Sequence, residues 1–257
     1  MRCNPYNRLL LFFGLLLLTA GCQKKAEQKA LRIATAANMQ YAMEAISEAF
    51  EKETGFRCEV ILGSSGKLFA QIREGAPYDL FLSADLKYPA TLSDLGLTVA
   101  PPKIYANGQL VLWTLSDTLT PALEGLKSDA IEHIALANPK TAPYGRAAME
   151  VMVGNAMFDS LQKKLVYGES IAQTNQFITS GAAAIGFTSL GTVLSPEMKG
   201  KGHWITVDKN AHNPIEQGVV LIKKRNGKHP AAEPFYRFLF SPKAKEILQN
   251  FGYSANE

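Results

Sequence analysis

At five places along this chain a strand-like segment gives way to a helix-like one through small polar or helix-starting residues. Asn38 follows the apolar stretch Leu31–Ala36, and Ser64-Ser65-Gly66 follows Arg57–Leu62. Thr141-Ala142-Pro143-Tyr144-Gly145 comes after Ile134–Ala137, Glu169-Ser170-Ile171 after Leu165–Tyr167, and Ser189 after Ala182–Thr188. A helix start leaves its first backbone N–H groups unpaired and carries a partial positive charge, so it attracts anions. In open α/β sheets ligands bind beyond the carboxyl ends of the strands, which is where these residues fall. Any single Ser or Asn among them is explained as a helix cap. Their recurrence in both halves of the chain favours donors gathered around an anion.

Other chemistries fit poorly. Gly63–Lys67 (GSSGK) lacks the spacing of a phosphate-binding P-loop, and Leu68 stands where that loop needs Ser or Thr. The segment is not G-x-S-x-G either, so a hydrolase rests on Ser65 alone. His133, His203, His212 and His229 are scattered, with no pair at metal-ligand spacing, so no direct protein–metal ligand is expected. Asp85, in Ser83-Ala84-Asp85, reads as a cap or a buried hydrogen-bonding carboxylate rather than a catalytic acid. Arg146 fits an anion clamp and a solvent-facing helix residue equally well. No catalytic residue and no cofactor is expected.

The elements that must hold these residues alternate as in an α/β protein with largely parallel sheets. Ala42, Ala45, Ile46, Ala49 and Phe50 lie on one face of a helix that Gly55 ends. A short helix over Lys67–Glu74 and a strand over Asp79–Ser83 follow. Around Tyr105–Gly108 the chain leaves this unit for a strand at Gln109–Leu115. The second unit continues with Ile134–Ala137, a helix over Arg146–Phe158, a strand at Leu165–Tyr167, a helix over Ile171–Thr179 and a strand at Ala182–Thr188. Val219–Lys223 is a late strand that carries the chain back. Of two closing helices, the second has Ser241 as cap, Pro242 at its first position and Gly252 beyond its end.

Composition sets the compartment. With 47% apolar and 19% charged residues among 257, the chain can bury a core and is not disordered. Met1–Arg8 carries Arg2 and Arg8 and no acid, and Leu9–Leu18 is almost wholly apolar. Thr19-Ala20-Gly21-Cys22 follows, which makes residues 1–21 a signal peptide. The apolar run is too short for a spanning helix, which needs about 20 residues. Small residues directly before Cys22 resemble a lipobox, although Thr19 stands where leucine is commonest. Cleavage before Cys22 and lipidation of that cysteine are expected, with polar residues 22–30 as a tether. Beyond residue 21, 25 basic residues face 23 acidic ones, with no basic stripe, so nucleic acid is not an expected partner. Cys3 leaves with the signal, which isolates Cys58 in a strand as a buried, inert thiol.

Four stretches resemble the periplasmic molybdate-binding proteins of ABC transporters, within the type II solute-binding fold. They are Ala34–Met39 (ATAANM), Ser64–Asp85 (SSGKLFAQIREGAPYDLFLSAD), Asn138–Ala147 (NPKTAPYGRA) and Phe235–Gly252. The second is the most specific, because its serine pair, G-A-P-x-D-L-F and S-A-D occur together in order. The resemblance spans Leu31–Ser254 and implies two α/β lobes with a ligand cleft between them. Lobe 1 would comprise residues 31–106 and 224–257, and lobe 2 residues 107–223. It further implies a monomeric receptor in the periplasm, or otherwise outside the cytoplasm, that binds molybdate or tungstate and serves a membrane permease. Carried over residue by residue, the anion contacts are Asn38, Ser65, Tyr144, Ile171 through its backbone N–H, and Ser189. Ser189 stands where some relatives have a tyrosine, so Tyr144 is an alternative source of a phenol. A receptor for sulfate or phosphate is the alternative function.

The lipid anchor is tested most directly at its one attachment point. Cys22→Ser is expected to move the protein from the membrane to the soluble fraction with its circular dichroism unchanged. Continued sedimentation with membranes in high salt would show that Cys22 is not the anchor.

Overall fold

The computed structural model describes residues 29–224 and 227–254. The expected signal peptide, Cys3 and Cys22 lie outside the described residues. The chain runs through β1 (Leu31–Ala36), α1 (Gln40–Thr54), β2 (Cys58–Gly63), α2 (Ser65–Arg73), β3 (Leu80–Leu82), α3 (Lys87–Asp94) and β4 (Lys103–Gly108). It crosses through Gln109 into β5 (Leu110–Thr114), β6 (Ile134–Ala137), α4 (Pro143–Gly154), α5 (Phe158–Leu161) and β7 (Leu165–Gly168). Then come α6 (Ile171–Thr179), β8 (Ile185–Ser189), α7 (Leu190–Val193) and β9 (His203–Thr206). The last elements are β10 (Ile215–Leu221), α8 (Ala232–Phe238) and α9 (Pro242–Asn250).

These strands form two five-stranded sheets, in the orders β2-β1-β3-β10-β4 and β7-β6-β8-β5-β9. In each, four strands run one way and one, β10 in the first sheet and β5 in the second, runs against both its neighbours. The sheets are therefore mixed rather than largely parallel. Each is the core of one α/β lobe, and the strands β1 and β6 occupy matching second places in the two orders. β10 pairs with β3 and β4, so it belongs to the first sheet. The expected span of 107–223 for the second lobe thus ends too late, because the return crossover lies between Thr206 and Ile215. Only the middle and end of β10 form an apolar run; its first residues, Ile215-Glu216-Gln217-Gly218, read as loop.

Local sequence explains the element ends. Gly55 closes α1 in the left-handed conformation, at φ 75°, which costs glycine nothing. Pro143 opens α4, where its fixed φ suits the first turn and its missing N–H would have had no partner. That helix consequently begins three residues before the expected Arg146. Ser241 caps α9 by accepting the Ala244 N–H at 3.2 Å. In the first lobe Leu31, Ile33, Met43, Ile46, Phe50 and Leu248 share one buried cluster, and in the second Leu112, Leu136, Val151 and Phe187 share another. Phe50 meets Phe235 and Phe238 edge to face, with ring centres 5.0 and 5.5 Å apart, which fastens the C-terminal helices to α1.

Phe50→Ala should therefore destabilise the first lobe by about 3–5 kcal/mol through lost contacts and a cavity. Urea denaturation would read this, and a cost below about 1 kcal/mol would mean that the aromatic cluster is not what holds the C-terminal helices.

Candidate functional site

Residues that follow β1, β2, β3, β6 and β7 line one small cavity between the two lobes. They are Ala36–Asn38, Gly63–Ser65, Ala84, Ala142–Tyr144 and Ile171. Each segment except Ala84 leads into a helical turn. Asn38 lies in the 3₁₀ turn Ala37–Met39 that precedes α1, Ser65 is the first residue of α2, Tyr144 the second of α4 and Ile171 the first of α6. The leading N–H groups of such turns have no partner within the turn, so both lobes present donors to one small volume. None of the lining residues is charged. Alanines make up much of the wall, which lets backbone approach a ligand closely.

The side chains add specific donors. Ser65 is fully buried, and its Oγ accepts the Ala84 N–H at 3.0 Å, which leaves its own proton to donate. Ser64 is one of the junction residues but not one of the five expected contacts. It forms no cap bond, and its buried hydroxyl has no hydrogen-bond partner among the described residues. The serine doublet was the available signal for it. The Tyr144 hydroxyl lies beside Gly108, Asn38 and Tyr253 and makes no bond of good geometry among the described residues. Burial, with Tyr253 and Tyr105 nearby, raises its pKa well above the usual phenol value, so it stays protonated.

The cavity thus brings together four of the five expected contacts. The fifth, Ser189, does not line it. Its hydroxyl lies 3.0 Å from Thr192 Oγ1 and 3.5 Å from the Asn38 carbonyl, behind the first turn. Arg146 neither reaches the cavity nor points to open solvent. It pairs with Asp85, which also accepts the Ser83 hydroxyl at 2.9 Å and the Tyr88 N–H at 3.3 Å. Asp85 is therefore the hydrogen-bonding carboxylate expected of it, and the pair joins one lobe to the other. Cys58 is half-buried, and burial, with Glu51 nearby, pushes its thiol up to about 12, so the reactive thiolate is absent near neutrality.

Further contacts close the lobes beside the cavity. The Gly66 N–H donates to the Thr141 carbonyl at 2.9 Å, and the Tyr88 hydroxyl to the Lys140 carbonyl at 3.3 Å. A side chain at Gly66 would come within 2.7 Å of the Tyr88 oxygen and 3.0 Å of Thr141, so closure requires glycine there. Lys67 and Glu169 pair across the rim at 2.5 Å, but both are about half exposed and add little.

This arrangement, a closed cleft between two lobes with donors from both, is that of a receptor. The sequence model described as "Bacterial extracellular solute-binding protein" matches residues 31–254. The chain belongs to that family. It is similar to the molybdate-binding protein ModA of Azotobacter vinelandii, at 38% identity over 96% of this chain and 97% of the relative. Its similarity to ModA of Rhodobacter capsulatus is 36%, over 86% of each chain. The solved structure of the Azotobacter vinelandii periplasmic molybdate-binding protein superposes with a TM-score of 0.84 and 34% identity, covering 88% of this chain and all of that one. Family membership makes this a binding protein and not an enzyme. Among the described residues no helix is long and apolar enough to cross a membrane.

Ser65→Ala should weaken anion binding by about ten- to a hundredfold, since a hydrogen bond to a charged acceptor is worth roughly 1.5–3 kcal/mol. It should also lower the melting temperature, because the Ala84 N–H loses its acceptor. Calorimetry on the folded variant would separate the two effects, and unchanged affinity would leave Ser65 a purely structural role.

Proposed function

We propose that this protein is the extracytoplasmic receptor of an ABC importer for molybdate and tungstate. The observation that carries this reading is the uncharged cavity into which both lobes direct N–H and O–H donors. Asn38, Ser65, Tyr144 and Ile171 would contact the anion, chiefly through backbone N–H groups, with the Ser64 and Ser65 hydroxyls beside them. Two relatives named as molybdate-binding proteins, at 38% and 36% identity, support the choice of anion. Ser189 would support the site from behind. Cys22 would hold the protein to the membrane by lipid, and the closed, monomeric receptor would pass its ligand to the permease.

Selectivity follows from what the cavity lacks. With no carboxylate in its lining, it offers chiefly donors, which suits an anion that is fully deprotonated and bears only acceptors. Molybdate and tungstate are such dianions near neutral pH and nearly equal in size. Phosphate still carries a proton there, and burying its O–H without an acceptor costs roughly 1–3 kcal/mol. Sulfate has no proton but is smaller, so fixed donors cannot all reach it at good distance.

Competition calorimetry at neutral pH should therefore give molybdate about equal to tungstate, sulfate far weaker and phosphate weaker still. Sulfate or phosphate binding as tightly as molybdate would overturn the assignment and favour a receptor for that anion.

A further inference from the structure

The Asn38 side chain is already occupied. Tyr253 is buried, and its hydroxyl donates its single proton to the Asn38 carbonyl at 2.7 Å. Toward the Asn38 side chain it can therefore only accept, which it does from Nδ2 at 3.3 Å. That fixes the amide with nitrogen facing Tyr253. The second amide hydrogen goes to Gln217 Oε1 at 2.7 Å. Gln217 is fully buried, and its own nitrogen rests on the Met39 sulfur at 3.6 Å, which turns its oxygen toward Asn38. Both Asn38 amide hydrogens are thus spent, and the remaining side-chain oxygen is an acceptor that an anion would avoid.

Gln217 is placed for this by an irregularity in the return strand. The β4–β10 register slips between Gln217 and Gly218, where Tyr105 has no opposite residue. Such bulges re-aim side chains beside sites. Tyr253 reaches the same point from the C-terminal end, where Ser254 bridges to Asn107 of β4. Two long-range contacts, from the return crossover and the chain terminus, therefore converge on one turn at the cavity wall.

We propose that Asn38 serves the anion only through the backbone of its turn, and that Gln217 and Tyr253 are positioning residues which hold that turn in place. This rests on the oxyanion reading of the cavity and adds that the asparagine amide is a clamp rather than a ligand. A side chain that acts only through its clamp must lose its effect once the clamp is gone, so the two changes cannot be additive.

The test is a double-mutant cycle by molybdate titration, with the ligand-free melting temperature of each variant measured beside it. Asn38→Ala and Gln217→Leu should each weaken binding by about tenfold, and the double variant by about tenfold as well rather than about a hundredfold. Tyr253→Phe, which removes only the hydroxyl, should also cost about tenfold and carries the test if Gln217→Leu does not fold. Multiplying losses in the double variant would overturn the clamp, and so would unchanged affinity in Gln217→Leu or, where that variant fails, in Tyr253→Phe. A purely structural role would lower the melting temperatures and leave affinity alone, which would overturn it too. Wild-type protein that binds no oxyanion would overturn the underlying reading and the clamp together, whereas binding by the wild type with an additive cycle would overturn the clamp alone.

Discussion

Everything in this molecule turns on backbone N–H groups that helices cannot satisfy themselves. A dehydrated anion needs many short donors pointing inward, and a helix start supplies them already fixed in direction. The two sheets bring four such starts to one point: the 3₁₀ turn before α1 and the amino ends of α2, α4 and α6. No lysine or arginine lines the cavity, so little side-chain entropy is lost on binding and no flexible cation admits anions of the wrong size. Arg146, two residues after Tyr144, is held by Asp85, and the pair contributes a clasp between lobes rather than a charge to the cavity.

Convergence imposes demands on residues that touch no ligand. Donors from two lobes meet only if the lobes approach at backbone distance, which explains the alanines at 36, 37, 84 and 142 and the glycine at 66. The first crossover must be short, and Gln109 alone separates β4 from β5. Gly145 answers the same demand within one lobe. A side chain there would lie 2.0 Å from the Ala137 carbonyl, so only glycine lets the first turn of α4 sit directly over the end of β6.

Much of this was legible in the sequence because the parallel strands and their following helices are local units. β1, β6 and α6 fall where apolar periodicity puts them, and Asn38, Ser65, Tyr144 and Ile171 stand at the ends of such units. Sequence failed where structure depends on distant partners. β4 (KIYANG) and β9 (HWIT) are edge strands, rich in polar residues and glycine or largely exposed, and take their form from β10 and β5. Pro89 disguised α3, although proline is tolerated in a first turn, where its missing N–H has no partner to lose. Ser189 looked like the other junction residues, but it is the last residue of β8, and its hydroxyl turns to Thr192 and the Asn38 carbonyl behind the cavity. The bonds from Gln217 and Tyr253 to Asn38 span 179 and 215 residues, which no local pattern can announce.

In the proposed function the same groups would bind the ligand and decide when the cleft closes. In the closed form the Ser64 hydroxyl is buried without a hydrogen-bond partner among the described residues. Each such unmet donor costs roughly 1–3 kcal/mol, whereas in an open cleft water satisfies it. The interlobe bonds from Gly66 to Thr141 and from Arg146 to Asp85 act in the opposite direction, by favouring closure. An oxyanion that accepted from such donors would remove the penalty and so favour the closed form over the open one. Differential affinity of that kind is the only means by which a ligand shifts a conformational equilibrium. On the proposed reading, a cavity that leaves donors unmet would be binding site and closing signal at once, with no separate device.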